Sequence, residues 1–171
     1  MKYLTGLIAF GIPCNDYSCG VWNYTKQNFT DPKWLEPKES DKTLFGDWGI
    51  EKDKIIPYHE DEELFNVATH KRAYLDMLFD KRFKELEGLF FYAINDMKCR
   101  EEIFDQVHRH LSHPDVHKDV YDFMSSEFGN AWLSYVQSWS SIRERVHKES
   151  DDAEQVSAEQ SAGVKGDTAD I

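Results

Sequence analysis

The chain predicts an α+β fold, with a small, mostly antiparallel sheet from the N-terminal half packed by three to four helices from the C-terminal half. Three observations carry that expectation. Up to residue 60 the chain is broken by Pro13, Pro32, Pro37, Gly46, Gly49 and Pro57, and its apolar runs are short, as strands and turns require. Past Glu60 apolar residues recur at helical spacing. With 40% hydrophobic and 14% aromatic residues in 171 positions, one core can be buried, so residues 1–147 are expected to form a single domain.

Residues 2–12 alternate weakly and stop at Pro13-Cys14-Asn15-Asp16, which predicts a first strand. Val21-Trp22-Asn23-Tyr24 predicts a second, giving a hairpin, and short extended pieces fall near Trp34-Leu35 and Ile55-Ile56. Phe45-Gly46-Asp47-Trp48-Gly49-Ile50 reads as a tight turn: the glycines and Asp47 permit positive φ, while Phe45 and Trp48 anchor its sides. A helix is expected from Asp61-Glu62-Glu63 to about Lys84, with acid in its first turn, ending near Gly88. Leu64, Val67, Ala68, Leu75 and Leu78 form its main apolar stripe, with Lys71 at the centre, where it must snorkel or pair. Asn66, His70, Ala73 and Met77 line up on the opposite side. A surface helix needs only one uncharged face. A second one predicts that this helix is sandwiched or meets a partner. Arg72 and Asp76, four apart, read as a surface pair of small value.

Leu89 to Ile94 reads as a buried strand. Further helices are expected from about Arg100 to Leu111, stopped by Pro114, from Val116 to Phe128, closed by Gly129, and from Asn130 to about His147. Residues 148–171 lack periodicity and predict a disordered acidic tail.

Charge narrows the function. The formal net charge is −12; the tail holds seven acidic residues against two lysines, and the remainder is acidic too. That argues against direct binding of nucleic acid through its phosphates and leaves open a protein partner with a basic surface. Three cysteines, Cys14, Cys19 and Cys99, are too few for a disulfide scaffold and fit reduced thiols. The apolar stretch Leu4 to Ile12 is interrupted by Thr5 and Gly6 and followed by Pro13, unlike a signal peptide. No run approaches the roughly 18 apolar residues of a membrane span. A cytoplasmic protein with no membrane partner is the expectation.

Candidate chemistry is sparse. His108, His110, His113 and His117 cluster near Asp115, but only His113 and His117 have the four-residue spacing of a helical zinc site, and Pro114 lies between them. A solvated helix-end cluster is the plainer reading. Cys14 and Cys19 are five apart, the wrong spacing for a zinc or redox motif. Trp22, Tyr24, Phe29 and Trp34 could stack bases, but their surroundings are not basic enough for a phosphate groove. The carboxylates form no evident acid–base pair, and neither a nucleophile elbow nor a phosphate-cradling glycine loop occurs. No catalytic residue, metal or cofactor is assigned. His70 reads as a histidine satisfied inside the core or as a contact to a partner.

Three segments carry a family resemblance: Lys2-Tyr3-Leu4-Thr5-Gly6 leading to Pro13-Cys14; Glu39-Ser40-Asp41-Lys42 leading to Phe45-Gly46-Asp47-Trp48-Gly49-Ile50; and Asn66-Val67-Ala68 with His70, Arg72, Ala73, Leu75 and Asp76. Together they resemble a family of small bacterial proteins of mobile elements, some beside nucleotidyltransferase-like toxins. The similarity spans roughly residues 2 to 136. Lys71 and Tyr74 depart from it, standing where plainer residues are expected, and the motifs transfer no catalytic role. The resemblance implies an antitoxin role, so the expected function is a non-enzymatic acidic binding protein that neutralises a cognate cytosolic protein. Its partner-binding residues would be Asn66, His70, Arg72, Ala73, Met77, Asp47 and Trp48. Two alternatives are a phage-borne inhibitor that imitates nucleic acid with a row of carboxylates, and a small hydrolase or metal-dependent enzyme using His70 or the histidine cluster.

Overall fold

The computed structural model describes residues 1–15, 26–30, 35–59, 63–111 and 117–139. The expected hairpin strand at Val21–Tyr24, the aromatic positions Trp22, Tyr24 and Trp34, and the tail 148–171 lie outside them. The fold is α+β. Strand β1 (Lys2–Thr5) runs into a 3-10 helix at Gly6–Gly11, and the short helix α1 (Lys26–Thr30) and strands β2 (Glu36–Glu39), β3 (Ile50–Lys54) and β4 (Phe65–Ala68) follow. The helices are α2 (His70–Phe79), α3 (Phe83–Leu86), α4 (Met97–His110) and α5 (Lys118–Phe128), with a π-helical turn at Phe90–Ile94 between α3 and α4. The chain divides into two units, Met1–Gly129 and Asn130–Ile171. Of the second, the described residues 130–139 are helical.

The four strands lie in the order β2-β1-β4-β3, with β1 parallel to β4 and the two outer pairs antiparallel. Both outer strands carry features that discourage further pairing. Pro37 in β2 has no N–H to offer an incoming strand, and β3 reads Ile-Glu-Lys-Asp-Lys. Between Glu51 and Lys54 the β3–β4 register shifts, and Asp53 there has φ 55°. That is a bulge, which twists the edge away from flat pairing. Alternation along β1 sends the Tyr3 and Thr5 hydroxyls to Asp76 of α2. Leu4, on the other face, borders a cavity of about 420 Å³ with Leu35, Pro37, Leu64 and Phe65.

The long helix expected from Asp61 to Lys84 is instead β4, α2 and the start of α3. Phe65–Ala68 is a strand, and α2 starts only after Thr69, which keeps extended backbone (ψ 162°) and accepts the Arg72 N–H on its side-chain oxygen. Val67 and Ala68 are both buried, so β4 has no polar alternation and its apolar residues imitate a helical stripe. Thr69 is the signal that separates the two. The strand expected at Leu89 to Ile94 is instead π-helical, closed by Asn95 at φ 42°. Short apolar runs do not distinguish those outcomes. Likewise the first strand ends at Thr5, and the chain tightens into the 3-10 helix with Gly6 at φ 70°.

Helix α2 is buried on nearly all sides: His70 and Arg72 to Leu78 are all inaccessible. Sheet and 3-10 helix close one side, through Tyr3 and Thr5 at Asp76 and through Phe10 stacked on His70 at 5.4 Å. On the other side the Tyr74 ring meets Phe90 and Phe128 at 6.2 and 6.4 Å, and Lys71 Nζ reaches Glu102 of α4 at 2.6 Å while lying 5.6 Å from the Trp48 ring. The second uncharged face is therefore covered by this chain itself.

Candidate functional site

Arg72 organises the polar interior. A guanidinium carries five N–H donors in a rigid plane, and burial demands an acceptor for each. Nε donates to Asp76 Oδ1 at 3.1 Å. Nη1 donates to the carbonyls of Gly46 (2.9 Å) and Trp48. Nη2 donates to the hydroxyls of Tyr3 and Thr43, both at 2.8 Å. All five are satisfied. Asp76 Oδ2 in turn accepts from Tyr3 (2.8 Å) and Thr5 (2.7 Å). Burial, with the Asp76 carboxylate beside it, pushes the Tyr3 phenol far above its ordinary range, so it remains a donor.

The expected surface pair Arg72–Asp76 is thus a correction: the two side chains are 0% and 2% exposed. An i, i+4 spacing is shared by surface and buried pairs alike, and only the packing of β1 and the 45–50 turn over this face of α2 decides between them. Nothing in the local pattern marked Tyr3, Thr5 and Thr43 as its partners, although all but Thr43 stand in the segments that carried the resemblance.

The same network holds the 45–50 turn from behind. Gly46 and Gly49 have φ 52° and 68°, as expected of the turn glycines. A Cβ on Gly49 would lie 2.8 Å from Arg72 Cβ, so this glycine is what lets the turn sit against α2. The Gly49 carbonyl accepts from Thr69 N at 2.8 Å. In front, Leu44 is 53% exposed, Asp47 is exposed and Trp48 is half-buried.

Of the residues expected to bind a partner, His70, Arg72, Ala73 and Met77 are buried within this chain. His70 Nε2 lies 3.0 Å from the Ile12 carbonyl; a carbonyl only accepts, so this nitrogen carries the proton and has no lone pair for a metal or for base catalysis. Asn66 is half-buried in β4 and donates to the Lys2 carbonyl at 2.9 Å. Asp47 and Trp48 are the two that reach solvent beside one another.

Two histidines of the cluster pack on aromatic rings. His110 lies edge-on to Phe45 at 5.0 Å, and His117 packs on Phe79 at 5.6 Å. Burial holds the His110 imidazole below its usual range, with Arg109 and His117 adding to the effect. His113 and Asp115 lie outside the described residues. Among the described residues no three His, Cys, Asp or Glu side chains are placed to share a metal ion, and no helix is long and apolar enough to cross a membrane. Carboxylates sit against cations in Glu51–Lys54, Asp105–Arg109 and Asp122–Lys118. No protein-family model, curated protein or solved structure matches the chain.

Proposed function

We propose that this chain is a non-enzymatic, acidic binding protein of the cytosol that neutralises a cognate protein with a basic surface, in the manner of an antitoxin. One observation carries the reading: a buried arginine commits two of its donors to the carbonyls of a surface turn. The turn that presents Leu44, Asp47 and Trp48 is thereby preorganised. A preorganised loop loses little conformational freedom on binding, and a half-exposed Trp next to the exposed Asp47 offers an anchor with an adjoining negative charge. Asp41 and Asp47 supply charge for steering. His70, Ala73 and Met77 act indirectly, by fixing the helix that carries Arg72.

The test is association with the product of the neighbouring gene, measured by calorimetry on the full chain. Asp47→Lys with Trp48→Ala should weaken binding by at least about 100-fold, the scale of losing one anchor and one steering charge, with thermal unfolding unchanged. Unaltered affinity in that variant would assign the contact elsewhere, and absence of association would overturn the reading.

A further inference from the structure

Beside the turn lies a cavity of about 380 Å³ whose lining runs against the charge of the chain. In a protein of formal charge −12, three of its lining residues are lysines: Lys38, Lys42 and Lys81. They arrive from separate places, Lys38 on β2, Lys42 before the 45–50 turn and Lys81 after α2. The lining also includes apolar Leu44, Phe79 and Val120. Its volume falls within the span of about 300–1,000 Å³ usual for small-molecule sites, which pair apolar walls with a few convergent polar groups.

The lining carries three lysines against two aspartates, a formal excess of one positive charge. Lys38, Lys42 and Lys81 pair with Asp80, Glu39 and Asp119, respectively. In the Lys42 pair the side chains are 72% and 52% exposed, and in the Lys81 pair 60% and 37%. Such solvated pairs hold their partners weakly and exchange readily for a ligand whose own charge is partly desolvated. Two carboxylates also line the cavity. Asp80 is engaged by Lys38, and Asp76 is matched by Arg72 and two hydroxyls, so neither presents an unbalanced charge.

From this geometry we infer that the cavity binds a small organic phosphate, its phosphates held by Lys42 and Lys81 and its apolar body against Leu44, Phe79 and Val120, while Lys38 keeps Asp80 neutralised. The cavity shares Leu44 with the turn proposed to bind a protein, but its assignment does not rest on that role. ADP, adenosine and pyrophosphate serve as probes, titrated into the full chain by calorimetry and by amide chemical-shift mapping. ADP should bind in the millimolar range or tighter and shift amides of Thr43, Phe79 and Val120; pyrophosphate should bind more weakly and adenosine hardly at all. Lys42→Gln with Lys81→Asn should weaken ADP at least about tenfold, as expected for loss of charge-assisted contacts. Asn is chosen because Lys81 has φ 62°, a conformation Asn tolerates. Both lysines are exposed, and an unchanged melting curve would confirm that the variant is folded. The assignment is overturned if ADP produces no shift at the cavity, if adenosine matches ADP, if pyrophosphate binds as tightly as ADP, or if the double variant binds ADP like the parent.

Discussion

Removing the Arg72 guanidinium would leave the Asp76 carboxylate buried with only the Tyr3 and Thr5 hydroxyls to offset it. Arg72→Met is therefore expected to cost about 3–5 kcal/mol, the scale of stranding one member of a buried pair, whereas Arg72→Met with Asp76→Leu should lose less than the single change. Urea denaturation of the two variants checks the order; a double variant weaker than Arg72→Met would contradict it. Tyr74 presents the opposite case. Its hydroxyl is buried with no hydrogen-bond partner among the described residues, and burial raises its pKa well above the ordinary value, with Glu127 nearby adding to the effect. Removing an unsatisfied buried hydroxyl restores apolar packing without losing a bond, so Tyr74→Phe should stabilise by roughly 1 kcal/mol in the same assay. The opposite predicted effects at Arg72 and Tyr74 come from partners that only folding supplies or withholds.

Turns and loops are where the elements can be tested. Gly46 and Gly49 share a left-handed backbone, but a Cβ at Gly46 meets nothing within 4 Å whereas one at Gly49 meets Arg72 Cβ at 2.8 Å. Gly46→Ala should then cost only the conformational penalty of about 1–2 kcal/mol. Gly49→Ala should cost a further 1–3 kcal/mol, roughly, for overpacking. Equal melting temperatures for the two would refute the close approach. The segment before β4 depends on pH instead. His59 Nδ1 lies 2.7 Å from Glu63 Oε2 and Nε2 lies 2.7 Å from the Phe29 carbonyl of α1, and these bonds, Glu63 first, raise its pKa above the usual imidazole value. A raised folded pKa gives stability that is full below the unfolded value of about 6.5 and is lost as pH rises through the folded value. The difference in thermal stability between pH 5.5 and pH 8.5 should shrink in His59→Gln. The element boundaries themselves were only partly legible. The 45–50 turn and the helical stripes of α4 and α5 follow from glycine placement and period, while β4 was absorbed into α2 because a buried strand and a helical stripe share their apolar residues.

Across the whole molecule, the segments that carried the resemblance converge: β1, the 45–50 turn and α2 meet at one guanidinium. The sequence by itself determined the α+β class, the acidic character and the tight turn, because composition, glycine placement and periodicity are local properties. Only the tertiary structure decided that α2 is sandwiched by its own chain and that Arg72 and Asp76 are buried. Separation explains why: the acceptors of Arg72 include Tyr3, 69 residues away, and the Gly46 carbonyl, 26 away. The lysine-rimmed cavity has the same origin, since its three cations are scattered through an acidic string and gather at one place only when β2, the turn and the end of α2 pack together.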